Sequence, residues 1–176
     1  MRRHSADERR RLVIEAASQE FAALGLFGAT GESISYRAGI SHPYLLRLFG
    51  SKKDLFRAVI DNAFEDLGTG VEERVNGGGA NPSSAALEEA IQQVLEQGQR
   101  SALLLQFLAA CGDDEIRPLV RRRFAELYQQ LARISDGDEA ELRAVFERVI
   151  FRSATAAMRL TEIASREPWA RRLLES

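Results

Sequence analysis

The spacing of helix starters and stoppers between residues 25 and 51 constrains this chain more than any other feature. Thr30 is placed to cap a short helix running to about Ala38, with Ile34 and Ala38 on its buried side, and Gly39 ends it. After Ile40, Ser41 is a second capping residue, Pro43 is tolerated in the first turn that follows, and Tyr44 to Phe49 continue as another short helix. Two short helices joined by a tight glycine-containing turn form a helix-turn-helix. Upstream, Ile14, Ala17, Phe21 and Leu24 recur at helical spacing from about Asp7 onward, and Gly25 is a natural stop. Downstream, Ser51 caps a long helix from Lys52 whose apolar stripe runs through Leu55, Phe56, Val59, Ile60, Ala63, Phe64 and Leu67. Gly68 and Gly70 weaken its far end by about 1 kcal/mol each relative to alanine, which predicts a bend or fraying there.

Residues 76–84, NGGGANPSS, read as a linker. Beyond it the periodicity predicts helices over 83–97, 99–111, 115–134, 138–163 and 168–175. β-branched residues nowhere alternate with polar ones over strand length, and no internal repeat is found. The fold class is therefore all-α: a three-helix helix-turn-helix domain over 1–51, then a helical bundle over 52–176. With 176 residues, 45% of them hydrophobic, the chain can bury one sizeable core and still carry a small extra domain.

The net charge of -2 hides an asymmetry. Residues 1–60 hold ten lysines and arginines against six acidic residues, whereas 61–176 hold fourteen against twenty. A nucleic-acid surface belongs to the first third. The charged start MRRHSADERRR has no apolar core of signal-peptide length, and no apolar run reaches the ~20 residues of a membrane span, so a cytoplasmic protein with no membrane contact is expected. One cysteine, Cys111, and two distant histidines, His4 and His42, leave no metal site, and no cofactor motif appears. Neither a Ser-His-Asp order, a Cys-His pair nor a phosphate-binding glycine loop is present, which argues against an enzyme.

The stretch from Phe21 to Leu55 resembles the DNA-binding domain of the TetR family. Its strongest segment is AGISHPYLLRLFGSKKDLF, residues 38–56, similar to that family's Ala-Gly-Val-Ser, a recognition helix ending in Phe, then Ser-Lys-Glu and Leu. Ala16, Ala17, Phe21 and Gly25 fit as well. The chain departs from the pattern at Leu46 and Leu48, where the family usually shows Tyr and His, and at Gly31, Ser33 and Ser35, where an apolar residue, Asp and Ala are common. The resemblance implies a repressor that binds double-stranded operator DNA as a homodimer and is released by an unidentified small-molecule effector. A helical protein-interaction module with a degenerate helix-turn-helix is the alternative.

A recognition helix points its first residues at base edges and its backbone N–H groups and nearby cations at phosphates. Thr30, Ser41, His42, Pro43, Tyr44, Arg47 and Lys52 are the expected DNA-binding residues, Lys52 as the phosphate contact implied by the resemblance. For His42 a capping or solvent-facing role weighs as much. The run Arg121, Arg122, Arg123 reads as a salt-bridged face, and Cys111 as a small buried hydrophobe. Phe64, Leu104, Phe107, Cys111, Phe124, Tyr128, Phe146 and Phe151 are candidates to line an apolar ligand cavity, although for any single one packing in a filled core is the better reading. Phe146, Ile150, Ser153, Ala154, Ala157 and Met158, with Trp169 over the end, are candidates for a four-helix dimer interface.

Overall fold

A computed structural model describes residues 6–75, 82–96, 99–135 and 138–175, and every regular element among them is helical. The order is α1 (Ala6–Gly28), α2 (Gly31–Ala38), α3 (His42–Phe49), α4 (Lys52–Val75), α5 (Ser84–Glu96), α6 (Arg100–Ala109), α7 (Ile116–Ile134), α8 (Glu139–Ala157) and α9 (Pro168–Leu174). Short 3-10 turns follow α6 at Ala110–Gly112 and α8 at Leu160–Glu162. Most of the expected linker, residues 76–81, lies outside the described residues. No helix of the described residues is long and apolar enough to cross a membrane.

Gly25 interrupts α1 with φ 68 and ψ -178, a conformation closed to other residues, and one more turn follows. That break corrects the expected face of the helix. Leu24 is 53% exposed, and Leu26 and Ala29 turn into the core in its place. α1 packs on α2, α4 and α6, while α4 crosses the molecule to meet α5 and α7, and α8 lies on α5 and α6. One hydrophobic cluster runs from Val13 of α1 to Val149 of α8. Its spine is a row of aromatic rings: Phe21 meets Phe56 edge-on at 4.8 Å, Phe56 meets Phe107, Phe107 stacks on Phe64, and Phe64, Phe124, Phe146 and Tyr128 complete the series. Fully burying each such ring contributes about 1.5–3 kcal/mol.

Two further expectations are corrected. The predicted helix over 138–163 ends at Ala157, because Arg159 takes a left-handed conformation (φ 53) that lets Leu160 turn back into the protein, 3% exposed. Gly68 and Gly70 do not fray α4, which stays helical to Val75. A Cβ on Gly68 would collide with the side-chain amide of Gln130, and one on Gly70 would press on Val94 at 3.1 Å. These glycines let α7 and α5 approach α4 closely, so their cost in helix propensity is offset by packing.

Candidate nucleic-acid interface

Each short helix of the N-terminal region is held by a neighbour three residues away. Thr30 Oγ1 accepts the Ser33 N–H at 3.0 Å, and the Thr30 N–H donates to Ser33 Oγ, a reciprocal cap. Gly39 closes α2 in the left-handed conformation, φ 65. Ser41 caps α3 by accepting the Tyr44 N–H, with Pro43 in the first turn. Ser51 caps α4: the Asp54 N–H donates to its Oγ, which donates to the Asp54 carboxylate at 2.6 Å.

Three of the departures from the family pattern, Gly31, Ser33 and Ser35, have local reasons. Ser33 supplies the second half of the Thr30 cap. Ser35 is 3% exposed, and its hydroxyl donates back to the Gly31 carbonyl at 2.7 Å. Gly31 makes room for His42: a Cβ there would stand 2.5 Å from His42 Nε2. His42 Nδ1 faces Glu32 at 3.2 Å, so its ring spans the starts of α2 and α3.

The outer face of α3 carries Pro43, Leu46 and Arg47, all exposed, with Tyr44 half-buried at its edge. Leu45 and Phe49 point inward and are buried, with half-buried Leu48 packed beside them. Arg47 lies over the Tyr44 ring, 4.7 Å from its centre, and takes part in no ion pair among the described residues. Sequence reasoning missed what holds this face from behind. Arg9 donates to the Tyr44 hydroxyl at 3.3 Å, and Arg10 donates to the Leu48 carbonyl at 3.0 Å while covering the Phe49 ring. Arg37 pairs with buried Glu20, tying α2 to α1. The arginine run at 9–11 was the available signal; nothing local marks Glu20.

Lys52 and Lys53 lie at the start of α4. Lys52 Nζ donates inward to the Ala29 carbonyl at 2.7 Å, which fixes α4 against the turn before α2. Lys53 bridges Asp113 and Glu115 at 2.9 and 3.0 Å. The Lys53 hydrogen bond is the main cause holding the Asp113 carboxyl below its ordinary pKa, and the Glu115 N–H adds to it. The same hydrogen bond is the main cause raising the Lys53 pKa.

The eight cavity candidates are not gathered around one space. Phe64, Leu104 and Phe107 are buried in the ring row, which Phe124 and Phe146 flank, and the voids beside them are about 20 Å³ each. Such a void holds no more than a water. Cys111 and Tyr128, with one side of Phe124, line an outward apolar groove on α7. Phe151 is 42% exposed and lines a different cavity, of about 770 Å³. Of the interface candidates, Met158 and Trp169 are exposed, and Phe146, Ile150 and Ala154 are half-buried. Ser153 is 1% exposed inside its own protomer, and Ala157 borders the 770 Å³ cavity. Arg123 pairs with Asp61 and Glu126, and Arg122 reaches Glu126, as expected of a salt-bridged face. No group of metal-ligating side chains is found among the described residues.

Residues 13–59 match the family model of the bacterial regulatory proteins of the tetR family. The HTH-type transcriptional activator FasR of Mycolicibacterium smegmatis is 39% identical over 67 residues, 38% of this chain. The match spans 31% of that relative's length. A Rhodococcus sp. protein described as a TetR-family transcriptional regulator shares the fold over 96% of both chains, with a TM-score of 0.66 at 17% identity. The TetR-family regulator PfmR of Thermus thermophilus aligns over 86% of both chains with a TM-score of 0.64 at 17% identity. The multidrug binding protein EbrR, complexed with malachite green, aligns over the same shares at 0.60 and 18%.

Proposed function

We propose that this chain, whose residues 13–59 match the tetR family model, is a TetR-family transcriptional regulator that acts in the cytoplasm as a homodimeric repressor. In this reading the dimer binds operator DNA and is released by a small, largely apolar ligand. The observation that carries the reading is the outer face of α3, where Arg47 is exposed beside Pro43 and Tyr44 on a doubly capped helix. A guanidinium so placed suits a phosphate or the guanine edge. Thr30 and Ser41, at the helix starts, leave backbone N–H groups near the same surface, and Lys52 keeps two ammonium protons beyond the one given to Ala29. His42 serves chiefly as the strut over Gly31.

Dimerisation supplies the second half-site. Met158 and Trp169, with Ile150, Ala154 and Phe146 along α8, are the residues proposed to meet the partner. The test is the Arg47→Ala variant in a gel-shift titration against the chain's own promoter. A loss of about 1–3 kcal/mol in DNA affinity with an unchanged helical spectrum is expected; unchanged affinity at matched salt rejects the assigned face. Binding absent even at low salt favours the interaction module. A promoter–reporter fusion fixes the sign: expression that rises with the protein would make it an activator, as the Mycolicibacterium relative is named.

A further inference from the structure

We propose that the half-open pocket of about 770 Å³ between α1, α5, α6, α8 and α9 is a binding site for an amphipathic oxyanion, a compact apolar molecule bearing a carboxylate, sulfonate or phosphate group. Arg148 and Arg152 stand in its wall one turn apart on α8. Both are held by one buried carboxylate: Arg148 Nε donates to Glu88 Oε2 at 2.5 Å, and Arg152 Nη2 lies 3.3 Å from Glu88 Oε1. A guanidinium has five N–H donors, so a single shared carboxylate leaves most of them unused. Against Glu88 alone the pair has one positive charge in surplus, which Glu96 of the same wall offsets in part, and Glu88 fixes its geometry in advance. Planar forks so held suit a second oxyanion.

The rest of the wall is of two kinds. Ala22, Leu95, Phe151 and Leu173 form an apolar lining. Gln92 and Glu96 continue the polar row of α5, with the Gln92 amide N–H donating to Glu96. Gln92 Oε1 is buried and has no hydrogen-bond partner. A ligand N–H or O–H would satisfy that oxygen. The aromatic core offers no competing site, since its voids are about 20 Å³.

Ala22 and Ala23 belong to α1, whose other end holds α3 through Arg9 and Arg10. An occupant therefore touches the helix that positions Tyr44 and Leu48. That it acts as the releasing ligand rests on the function proposed above; that it binds does not.

The probe is anilinonaphthalenesulfonate, compared with N-phenyl-naphthylamine, which has the same apolar skeleton without the sulfonate. Fluorescence titration of the full chain should show one sulfonate probe per protomer, bound about tenfold or more tightly than the neutral compound, the worth of one charge-assisted hydrogen bond. Arg152→Gln should abolish that preference and leave the neutral compound unchanged. Ala156→Phe, which fills the cavity without touching a charge, should weaken both, with near-ultraviolet dichroism verifying each fold. Equal affinities of the two probes in the natural chain overturn the proposal, as does sulfonate binding unaltered by Ala156→Phe. With promoter DNA added, a bound probe that leaves DNA affinity unchanged overturns the effector role alone. Failure of the chain to bind DNA breaks the functional reading and leaves the probe result intact.

Discussion

The helix-turn-helix and the bundle are fixed in opposite ways. In the first, the decisive hydrogen bonds join residues three apart: Ser33 to Thr30, Tyr44 to Ser41, Asp54 to Ser51. In the second, the corresponding links join residues 58 to 62 apart, as in Gln130 to Glu72, Arg148 to Glu88 and Arg123 to Asp61. Local caps fix the helix ends of the reading face, which Arg9 and Arg10 then tie to α1 from behind, whereas a pocket bounded only by distant elements changes when any of them shifts. The first suits a rigid reading face and the second a responsive site. The aromatic row through Phe21, Phe56 and Phe107 joins them.

The strongest way to break this contrast is to cut that row. Phe107→Ala should cost about 3–5 kcal/mol in urea unfolding, with both regions lost in one transition, because its ring bridges Phe56 and Phe64. Two transitions would mean the regions fold independently. Removing a cap should cost less: Ser41→Ala is expected to destabilise by about 1 kcal/mol and to lower DNA affinity, with hydrogen exchange rising in α3 and not in α8. Protection lost equally in both helices would show that the caps are not local devices. Gly68→Ala should change stability by under about 0.5 kcal/mol, since the gain in helix propensity is offset by displacing Gln130 from Glu72. A gain near the full ~1 kcal/mol would restore the fraying explanation.

The smallest effect concerns Lys53 and Asp113, which tie the start of α4 to that of α7. Because the folded-state pKa of Asp113 is lowered, its contribution is present above the ordinary aspartate value of about 4 and is lost as pH falls through the lowered value. Asp113→Asn should therefore melt slightly lower than the natural chain at neutral pH, and the gap should close in acid and shrink with salt. A gap independent of pH would assign the effect to the caps that Asp113 gives to the Glu115 and Ile116 N–H groups.

This contrast also explains what the sequence reveals. Thr30, Gly39, Ser41 and Ser51 are legible because each cap is chemistry within one helical turn. The outward face of Arg47 follows from helical spacing once Leu45 and Phe49 are taken as core. Periodicity misplaces Leu24 because the chain does not stop at Gly25: one more turn follows the break and brings Leu26 and Ala29 to the core instead. Gly68 and Gly70 mislead because propensity is a property of one helix, while close approach is a property of two. Phe64, Phe107, Phe124 and Phe146 do lie together, yet spacing does not distinguish rings that face a void from rings that face one another. The Glu88–Arg148–Arg152 group has no sequence signature beyond two arginines a turn apart.

His42 and Gly31 behave as a single inherited character. The ring of one occupies the volume that a side chain on the other would need. A side chain at 31 requires the His42 ring to swing away from Glu32 or to be exchanged for something smaller, so the two positions are coupled and a change at one alters what the other tolerates.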